Sequence, residues 1–225
     1  MKYHFMKSNK KFKVILADDH ILLRDALARL INSFDEFEVI SVAGNGKELV
    51  TAVEAGNVPN VVLLDLNMPR MDGYETAHWL FKKQPTVKTL ILTMYDSEIA
   101  LIRLLQVGVK GFLKKDIHPT ELKAALLSVA DNGYYYAQDT TGKLASLFQK
   151  SSARPFSLEK AMLSEIEIEF LKLASTDLTY KEIAHAMKIT PRSIDSYRDS
   201  LFDKLDVKSR VGLAIYAVKN GIVTF

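Results

Sequence analysis

Acidic, hydroxyl and basic side chains stand at the ends of apolar runs in the first half of the chain. They are Asp18, Asp19, Asp65, Thr93, Lys114 and Lys115. If these runs are neighbouring parallel strands, their ends converge on one crevice. Carboxylates gathered there repel one another, and a hard cation such as Mg²⁺, which prefers oxygen ligands, would relieve that repulsion. A carboxylate beside a metal can also attack phosphorus, with the metal and a lysine neutralising the transferring phosphoryl oxygens.

The elements that would position these residues alternate along residues 12–131. Apolar runs rich in Val, Ile and Leu indicate five strands, at Phe12–Ala17, Val39–Ala43, Val61–Leu64, Val87–Thr93 and Lys110–Leu113. Helical patterns lie between them, at about 20–33, 46–55, 73–83, 97–107 and 118–131. This order predicts an α/β fold, with a five-stranded parallel sheet covered by helices on both faces.

The alternation stops after residue 133, and the remaining chain is helical in pattern. Four helices are indicated at about 164–175, 179–187, 191–205 and 208–220. We therefore predict three parts: an α/β domain at 11–133, a linker at 134–158 with a possible short helix, and a small all-α domain at 159–225.

Composition narrows the function classes. The chain has 225 residues, of which 48% are hydrophobic and 25% charged, as in ordinary globular proteins. Cysteine is absent, which excludes disulfides, zinc–thiolate sites and cysteine nucleophiles and fits a cytoplasmic location. No apolar run reaches the length of a membrane helix, so we expect no membrane partner. The formal net charge of +3 does not by itself indicate nucleic-acid binding.

Four motifs in order resemble the receiver domain of bacterial two-component response regulators. They are DDHILLR (18–24), LLDLNMPRMDG (63–73), LTMY (92–95) and GFLKKD (111–116). The resemblance covers residues 12–131 and implies a flavodoxin-like, doubly wound sheet. It also implies that Asp65 accepts a phosphoryl group from a sensor histidine kinase.

The same resemblance assigns the metal ligands. Asp19 would bind Mg²⁺ directly and Asp18 through a water molecule, and the Asn67 backbone carbonyl and Asp65 would complete the protein ligands. Without the resemblance, Asp18 and Asp19 could simply cap the first helix, and Asp65 could stabilise a turn. The convergence of these residues on adjacent strand ends favours the functional interpretation.

Three further residues would respond to phosphorylation. By the resemblance, the Thr93 hydroxyl and the Lys115 ammonium would contact the phosphoryl group, and Phe112 would be the coupled switch aromatic. Thr93 could instead be an ordinary strand threonine, and Phe112 could be plain core.

The all-α domain contains a helix-turn-helix pattern at residues 179–205. A three-residue turn at 188–190 separates two helices, and Thr190 can cap the second, with Pro191 at its first position. In this motif the second helix lies in the major groove. Residues 160–223 resemble the LuxR-type DNA-binding domain, and the alternative is a protein-binding helical bundle.

The positive charge of this domain is modest, with eight basic against five acidic residues from 178 onward. Tight binding to double-stranded DNA is therefore expected to need two copies of the domain. The predicted phosphate contacts are Lys181, Arg192, Arg198, Lys204, Lys208 and Arg210. The resemblance places Asp195, Ser196 and Asp199 toward the groove, and Thr190 and Ser193 complete the predicted DNA-binding set.

The last helix, Val211 to Asn220, carries apolar residues beyond what so small a domain needs. We predict that Leu213, Tyr216 and Ala217 pair with a second copy in a homodimer, formed on phosphorylation or on DNA. The alternative is that they pack on the first helix of their own domain.

Together these patterns predict a phosphorylation-controlled DNA-binding transcription regulator rather than an enzyme. With His20 and Arg24, the receiver pattern is similar to the NarL subfamily, which couples these two domains. One rival is a haloacid-dehalogenase-like phosphatase, whose motif needs a second acid where this chain has Asn67. The other is a DNA-binding protein with a vestigial receiver, although all the receiver's acidic, threonine and lysine positions are present.

Overall fold

The structure is a computed structural model that describes residues 11–94, 98–136 and 163–223, with the backbone alone for 98–100. The chain forms two compact units, which we treat separately. The short helix predicted within the linker lies outside the described residues. In the part of the chain that is described, no helix is both long and apolar enough to cross a bilayer.

The first unit is built on a parallel sheet. Its strands are β1 (Phe12–Ala17), β2 (Phe37–Ala43), β3 (Val61–Asp65), β4 (Lys88–Thr93), β5 (Gly111–Lys114) and β6 (Tyr135–Tyr136), in the spatial order β2-β1-β3-β4-β5-β6. All neighbouring strands pair in parallel. This confirms the predicted α/β class and its doubly wound order.

The sheet has six strands where the sequence predicts five. Strand β6 pairs Tyr135 with Gly111 and Tyr136 with Phe112. The Tyr135 amide donates to the Lys110 carbonyl at 2.8 Å. The sequence allows a short extended segment at Tyr134–Tyr136 within the predicted linker, but two residues are too few to show a strand periodicity.

Five helices alternate with these strands along the described residues up to 136: α1 (Ile21–Asn32), α2 (Gly46–Glu54), α3 (Gly73–Lys83), α4 (Glu98–Gln106) and α5 (Pro119–Asn132). Asn45 caps α2, and Asp72 with Glu75 forms a capping box at α3. Gly133 caps the C-terminus of α5, and its φ of 91° is easily adopted only by glycine.

The core of this unit lies on both faces of the sheet, because successive strand residues point to opposite sides. Val14, Leu63 and Leu90 are fully buried in one cluster with residues of α1 and α5. Strand β3 is buried along its whole length. Each fully buried aliphatic side chain contributes about 1.5–3 kcal/mol, so this packing holds the strand ends in place.

The second unit is helical: α6 (Glu165–Ala174), α7 (Tyr180–Ala186), α8 (Pro191–Leu205) and α9 (Arg210–Lys219). Its core includes Phe170, Ile183, Ile194 and Leu201. The turn between α7 and α8 places Lys188 at a φ of 55°, which makes the sharp change of direction that a helix-turn-helix needs. The four helices lie where the periodicity of the sequence predicts them.

Candidate functional site

The carboxyl ends of four adjacent strands form the crevice of the first unit. Asp18 follows β1, Asp65 ends β3, Thr93 ends β4 and Lys115 follows β5. The strands lie side by side in the order β1-β3-β4-β5, so these ends meet at one edge of the sheet. The register supports the same grouping, since Thr93 pairs with Lys114 directly before Lys115.

The Lys115 ammonium group links two of the acids. The Nζ atom of Lys115 lies 2.9 Å from Asp18 Oδ2 and 2.9 Å from Asp65 Oδ2. The Lys115 backbone amide also donates to the Thr93 carbonyl at 3.1 Å. Only 11% of the Lys115 side chain is exposed, whereas Lys114 is exposed. Lys115 is therefore the lysine that the fold directs into the crevice.

The turn after β1 is stabilised by His20 and Arg24. The His20 amide donates to Asp18 Oδ1 at 2.8 Å, and His20 Nδ1 lies 2.9 Å from that oxygen and 3.0 Å from Asp19 Oδ1. Arg24 donates to the Asp18 backbone carbonyl at 2.9 Å. In the sequence, His20 and Arg24 indicate only the subfamily. The adjacency of His20 to two aspartates was the signal for its place in the crevice.

Burial and the neighbouring Lys115 charge shift the pKa of Asp65 in opposite directions. Burial raises the pKa of Asp65 to about 6, although the Lys115 ammonium and the Leu66 amide both favour its ionised form. Burial also works against the charge on Lys115, but Asp18 and Asp65 overcome it and hold the pKa of Lys115 above its ordinary value. The crevice thus contains a permanent cation beside a carboxylate that is poorly hydrated.

The oxygen-rich donor set fits a magnesium ion. Ligand atoms of Asp18, Asp19, His20 and Asp65 all lie within 4.8 Å of one another. Clustered carboxylates are the ligands that Mg²⁺ takes alongside waters. Asn67 is half-buried in the loop after β3, two residues beyond Asp65.

The two residues assigned to switching are both buried. Thr93 is 4% exposed and Phe112 is 3% exposed. The Phe112 ring packs against Tyr136 of β6, with ring centroids 5.8 Å apart. The aromatic side chain assigned to switching therefore contacts the short strand that ends the described part of this unit.

In the second unit, α8 follows the turn as the second helix of the helix-turn-helix. Thr190 caps it by accepting from the Ser193 amide at 3.1 Å, with Pro191 at the first turn. Seven of the predicted DNA-contacting residues are exposed: Lys181, Thr190, Arg192, Asp195, Ser196, Asp199 and Lys208. Ser193 is half-buried.

The other three predicted phosphate contacts have partners inside their own domain. Lys204 Nζ lies 2.8 Å from both carboxylate oxygens of Glu167. Arg210 donates to the backbone carbonyls of Ala174 and Thr176, at 2.9 and 2.7 Å. Arg198 is paired with two aspartates of α8, Asp195 and Asp199.

The dimerisation residues predicted in the last helix need correction. Leu213 and Ala217 are completely buried in the core of their own domain, in one cluster with Phe170. They cannot form a surface for a second copy, and the alternative of packing on the first helix of the domain holds for both. Tyr216 is half-buried, and burial raises its pKa to about 12. The exposed apolar side chains of α9 are Val211 and Ile215.

Comparison with known families matches both units. The family described as response regulator receiver domain matches residues 14–127, more than half of the chain. The family described as bacterial regulatory proteins, luxR family, matches residues 161–217. The order of the two matches is the order of the two units.

Relatives of similar length align over almost the whole chain. The transcriptional regulatory protein DegU of Brevibacillus brevis is 28% identical, covering 96% of this chain and 97% of its own length. The oxygen regulatory protein NreC of Staphylococcus carnosus is 29% identical, covering 95% of this chain and 100% of its own. The fold is also that of RcsB from Salmonella enterica serovar Typhimurium bound to promoter rprA with phosphomimetic BeF₃⁻, at a TM-score of 0.66 and 23% identity, covering 92% of this chain and 98% of RcsB. The chain therefore belongs to the NarL/LuxR-type response regulators, transcription regulators that join a receiver domain to a LuxR-type DNA-binding domain.

Proposed function

We propose that Asp65 is the residue through which phosphorylation controls DNA binding by this protein. The observation that carries this proposal is the position of Lys115, whose ammonium lies 2.9 Å from both Asp65 and Asp18. A cation at this point can stabilise negative charge both on the Asp65 carboxylate and on the phosphoryl oxygens of a group transferred to it. A lysine that served only to neutralise Asp18 would not need to reach Asp65.

The chemistry begins with a phosphohistidine of a sensor kinase. An Asp65 oxygen attacks phosphorus, the phosphorus–nitrogen bond breaks, and the histidine nitrogen leaves with the electron pair. The product is an acyl phosphate on Asp65. Lys115 then pairs with the phosphoryl oxygens, which carry more negative charge than the Asp65 carboxylate that it contacts beforehand.

The metal-binding residues would be Asp19 and Asp65, with Asp18 through water and Asn67 through its backbone carbonyl. Mg²⁺ bound there would neutralise charge on the transferring phosphoryl oxygens. In its absence the three carboxylates have one ammonium to balance them, so the crevice has a net negative charge. This charge imbalance is what makes cation binding favourable.

Thr93 and Phe112 would transmit phosphorylation of Asp65 to the rest of the domain. The new dianion draws the Thr93 hydroxyl and Lys115 inward, and Phe112 packs into the vacated space. Because Phe112 contacts Tyr136, its movement also changes the packing of β6. The protein then shifts toward a state that differs in its contacts and binds DNA more tightly.

DNA contact is proposed for α8 in the major groove, with phosphates held first by Lys181, Arg192 and Lys208. These three have no partner among the described residues, whereas Arg198, Lys204 and Arg210 are already paired within the domain. The modest charge favours two copies on one DNA, and RcsB, which has the same fold, binds DNA as dimers. Val211 and Ile215 are the exposed apolar residues for that pairing.

The test is incorporation of phosphate from radiolabelled acetyl phosphate with Mg²⁺ into the wild type, Asp65→Asn and Asp25→Asn. Asp25 is an exposed aspartate of α1 and serves as the matched control. We expect label in the wild type and the control and none in Asp65→Asn. Equal label in all three would refute the assignment of Asp65. Multiple turnover of a phosphomonoester would favour a phosphatase, and DNA affinity unchanged by acetyl phosphate would favour a vestigial receiver.

A further inference from the structure

Helix α8 carries two acidic side chains where a DNA-reading helix is expected to be basic. Asp195 lies in its N-terminal half and Asp199 directly after its midpoint, and their side chains are 57% and 64% exposed. They stand four residues apart, so they share one face of the helix about 5–6 Å from each other at Cβ. Carboxylates placed there without compensation would be repelled by DNA phosphates.

Arg198 lies between the two carboxylates and holds both. Its Nη1 donates to Asp195 Oδ1 at 2.9 Å, and its Nε donates to Asp199 Oδ1 at 2.9 Å. The guanidinium also lies over the Tyr180 ring, 5.3 Å from its centroid. Tyr180 in turn stacks on the fully buried Phe170, so these ring contacts connect Arg198 to the domain core. Arg198 therefore holds the two aspartates of α8 in place and is not available to contact a DNA phosphate.

The geometry points to Asp195 and Asp199 as the residues that determine DNA sequence preference, by accepting hydrogen bonds from cytosine amino groups. This inference rests on the proposed contact of α8 with the major groove. One oxygen of each carboxylate is bonded to Arg198, and the other oxygen has no partner among the described residues. Each aspartate thus offers one oriented acceptor. Arg198 is the positioning residue that fixes their direction.

Cytosine is the base that suits an acceptor-only side chain. In the major groove it presents the N4 amino donor, whereas adenine presents its N6 amino group beside the N7 acceptor. A carboxylate that approaches adenine N6 is repelled by N7, and guanine and thymine present acceptors alone as polar groups. Since base pairs lie about 3.4 Å apart along the axis, the two aspartates can reach cytosines one or two steps apart.

The experiment is selection of duplexes with a randomised centre by the full-length protein treated with beryllofluoride and Mg²⁺. We expect each selected half-site to contain two cytosines separated by at most one base pair. Asp199→Ala removes the preference at one of them and Asp195→Ala at the other. Asp199→Asn abolishes the cytosine preference at its position, because its oxygen accepts from Arg198 and the group left to face the base is an amino donor, which cannot accept from the cytosine amino group. Asp203→Asn, an exposed aspartate in the C-terminal half of α8, keeps the wild-type sites.

A second measurement removes the amino group instead of the aspartate. Replacing one selected cytosine by 2-pyrimidinone is expected to weaken wild-type binding about tenfold, and to have no further effect on the matching alanine variant. Arg198→Gln is expected to relax both cytosine preferences together, while circular dichroism shows the helices intact. A purely structural role for Arg198 would leave the preferences unchanged.

Other results overturn the inference. If the alanine variants select the same sites and bind every duplex more tightly, the aspartates act only by repelling phosphate. If the wild type selects no sequence with or without beryllofluoride, the proposed function fails together with this inference. Selection of cytosine-free sites by a protein that responds to beryllofluoride removes the inference alone.

Discussion

The ammonium nitrogen of Lys115 and the Asp65 carboxylate are 2.9 Å apart in a buried crevice. The same nitrogen is equally close to Asp18, on the neighbouring strand end. One lysine from the loop after β5 thus joins the ends of β1 and β3, which lie far from it in sequence.

Replacing Lys115 by Gln leaves two buried carboxylates without their cation. We expect the free energy of unfolding in metal-free buffer to fall by about 3–5 kcal/mol, since an uncompensated buried charge is left behind. Added Mg²⁺ should restore part of this loss. Urea unfolding with and without Mg²⁺ measures both effects. Lys114→Gln, at the exposed neighbour, should change stability by about 0.5 kcal/mol or less; an equal loss there would contradict the assignment.

Replacing Asp19 by Asn should weaken the metal site without unfolding the protein. Mg²⁺ stabilises the wild type by binding the folded state alone, by about 2.7 kcal/mol at one hundred times its dissociation constant. We expect most of this increment to disappear in Asp19→Asn, while the metal-free variant gains stability from reduced repulsion. Thermal unfolding across a Mg²⁺ titration gives both quantities, with Asp25→Asn as control. An identical Mg²⁺ response in all three proteins would show that Asp19 is not a ligand.

Gly73 holds the loop after Asp65 against the end of β3. A Cβ atom at this position would overlap the Asp65 carbonyl oxygen and the Leu66 Cα, both of them backbone atoms. Gly73→Ala should therefore cost about 1–3 kcal/mol of stability and reduce phosphate incorporation at Asp65. Gly56→Ala is the comparison, because its Cβ meets nothing within 4 Å although its φ is +96°. Gly56→Ala should lose about 1 kcal/mol and keep normal phosphorylation.

The pair formed by Glu167 and Lys204 makes the helical domain sensitive to acid. Burial alone would raise the pKa of Glu167, but Lys204 and the Ser164 amide outweigh it and hold the pKa below its ordinary value of 4.5. The ionised pair therefore stabilises the fold above about that pH, and its contribution is lost as the pH falls through the lower folded-state pKa. Glu167→Gln should reduce the free energy of unfolding by about 1–3 kcal/mol at pH 7. On acidification, the stability of this variant should fall less than that of the wild type.

Amide hydrogen exchange in α6 and α8 of the full chain, at pH 7 and in acid, measures this difference. Glu169→Gln, an exposed glutamate on the same helix, is the matched control and should behave as wild type. If Glu167→Gln and wild type lost protection in parallel on acidification, the pair would not be the source of the pH dependence.

The exposed apolar side chains of α9 test the proposed pairing on DNA. Ile215→Glu places a charge on a side chain that is 51% exposed and should leave the fold intact. We expect it to reduce the complex on a selected duplex from two protein copies to one in sedimentation velocity. Lys219→Gln makes the same change in charge on the same helix and should keep two copies. A wild-type protein that binds as one copy at every concentration would rule out pairing through α9.

Local patterns in the sequence were sufficient for the elements and for much of the crevice. Apolar runs and helical periodicity depend on neighbouring residues, so the helices and all strands except β6 could be located from them. Residues at strand ends could be grouped as soon as a parallel sheet was inferred, which brought Asp18, Asp65, Thr93 and Lys115 together. The cap residues Thr190 and Pro191 likewise marked the start of α8.

Contacts between residues far apart in the chain depended on packing. An apolar residue on a helix is equally compatible with a core or an interface, and only the packing of α9 on α6 shows that Leu213 is core. From the sequence, Lys204 is a cation on the surface of a helix and therefore a candidate phosphate contact. Its partner, Glu167, lies 37 residues away in the chain, so the local sequence does not show the pair. Which acidic residue pairs with a given cation depends on which helix faces pack together. The periodicity of a single helix does not contain this information.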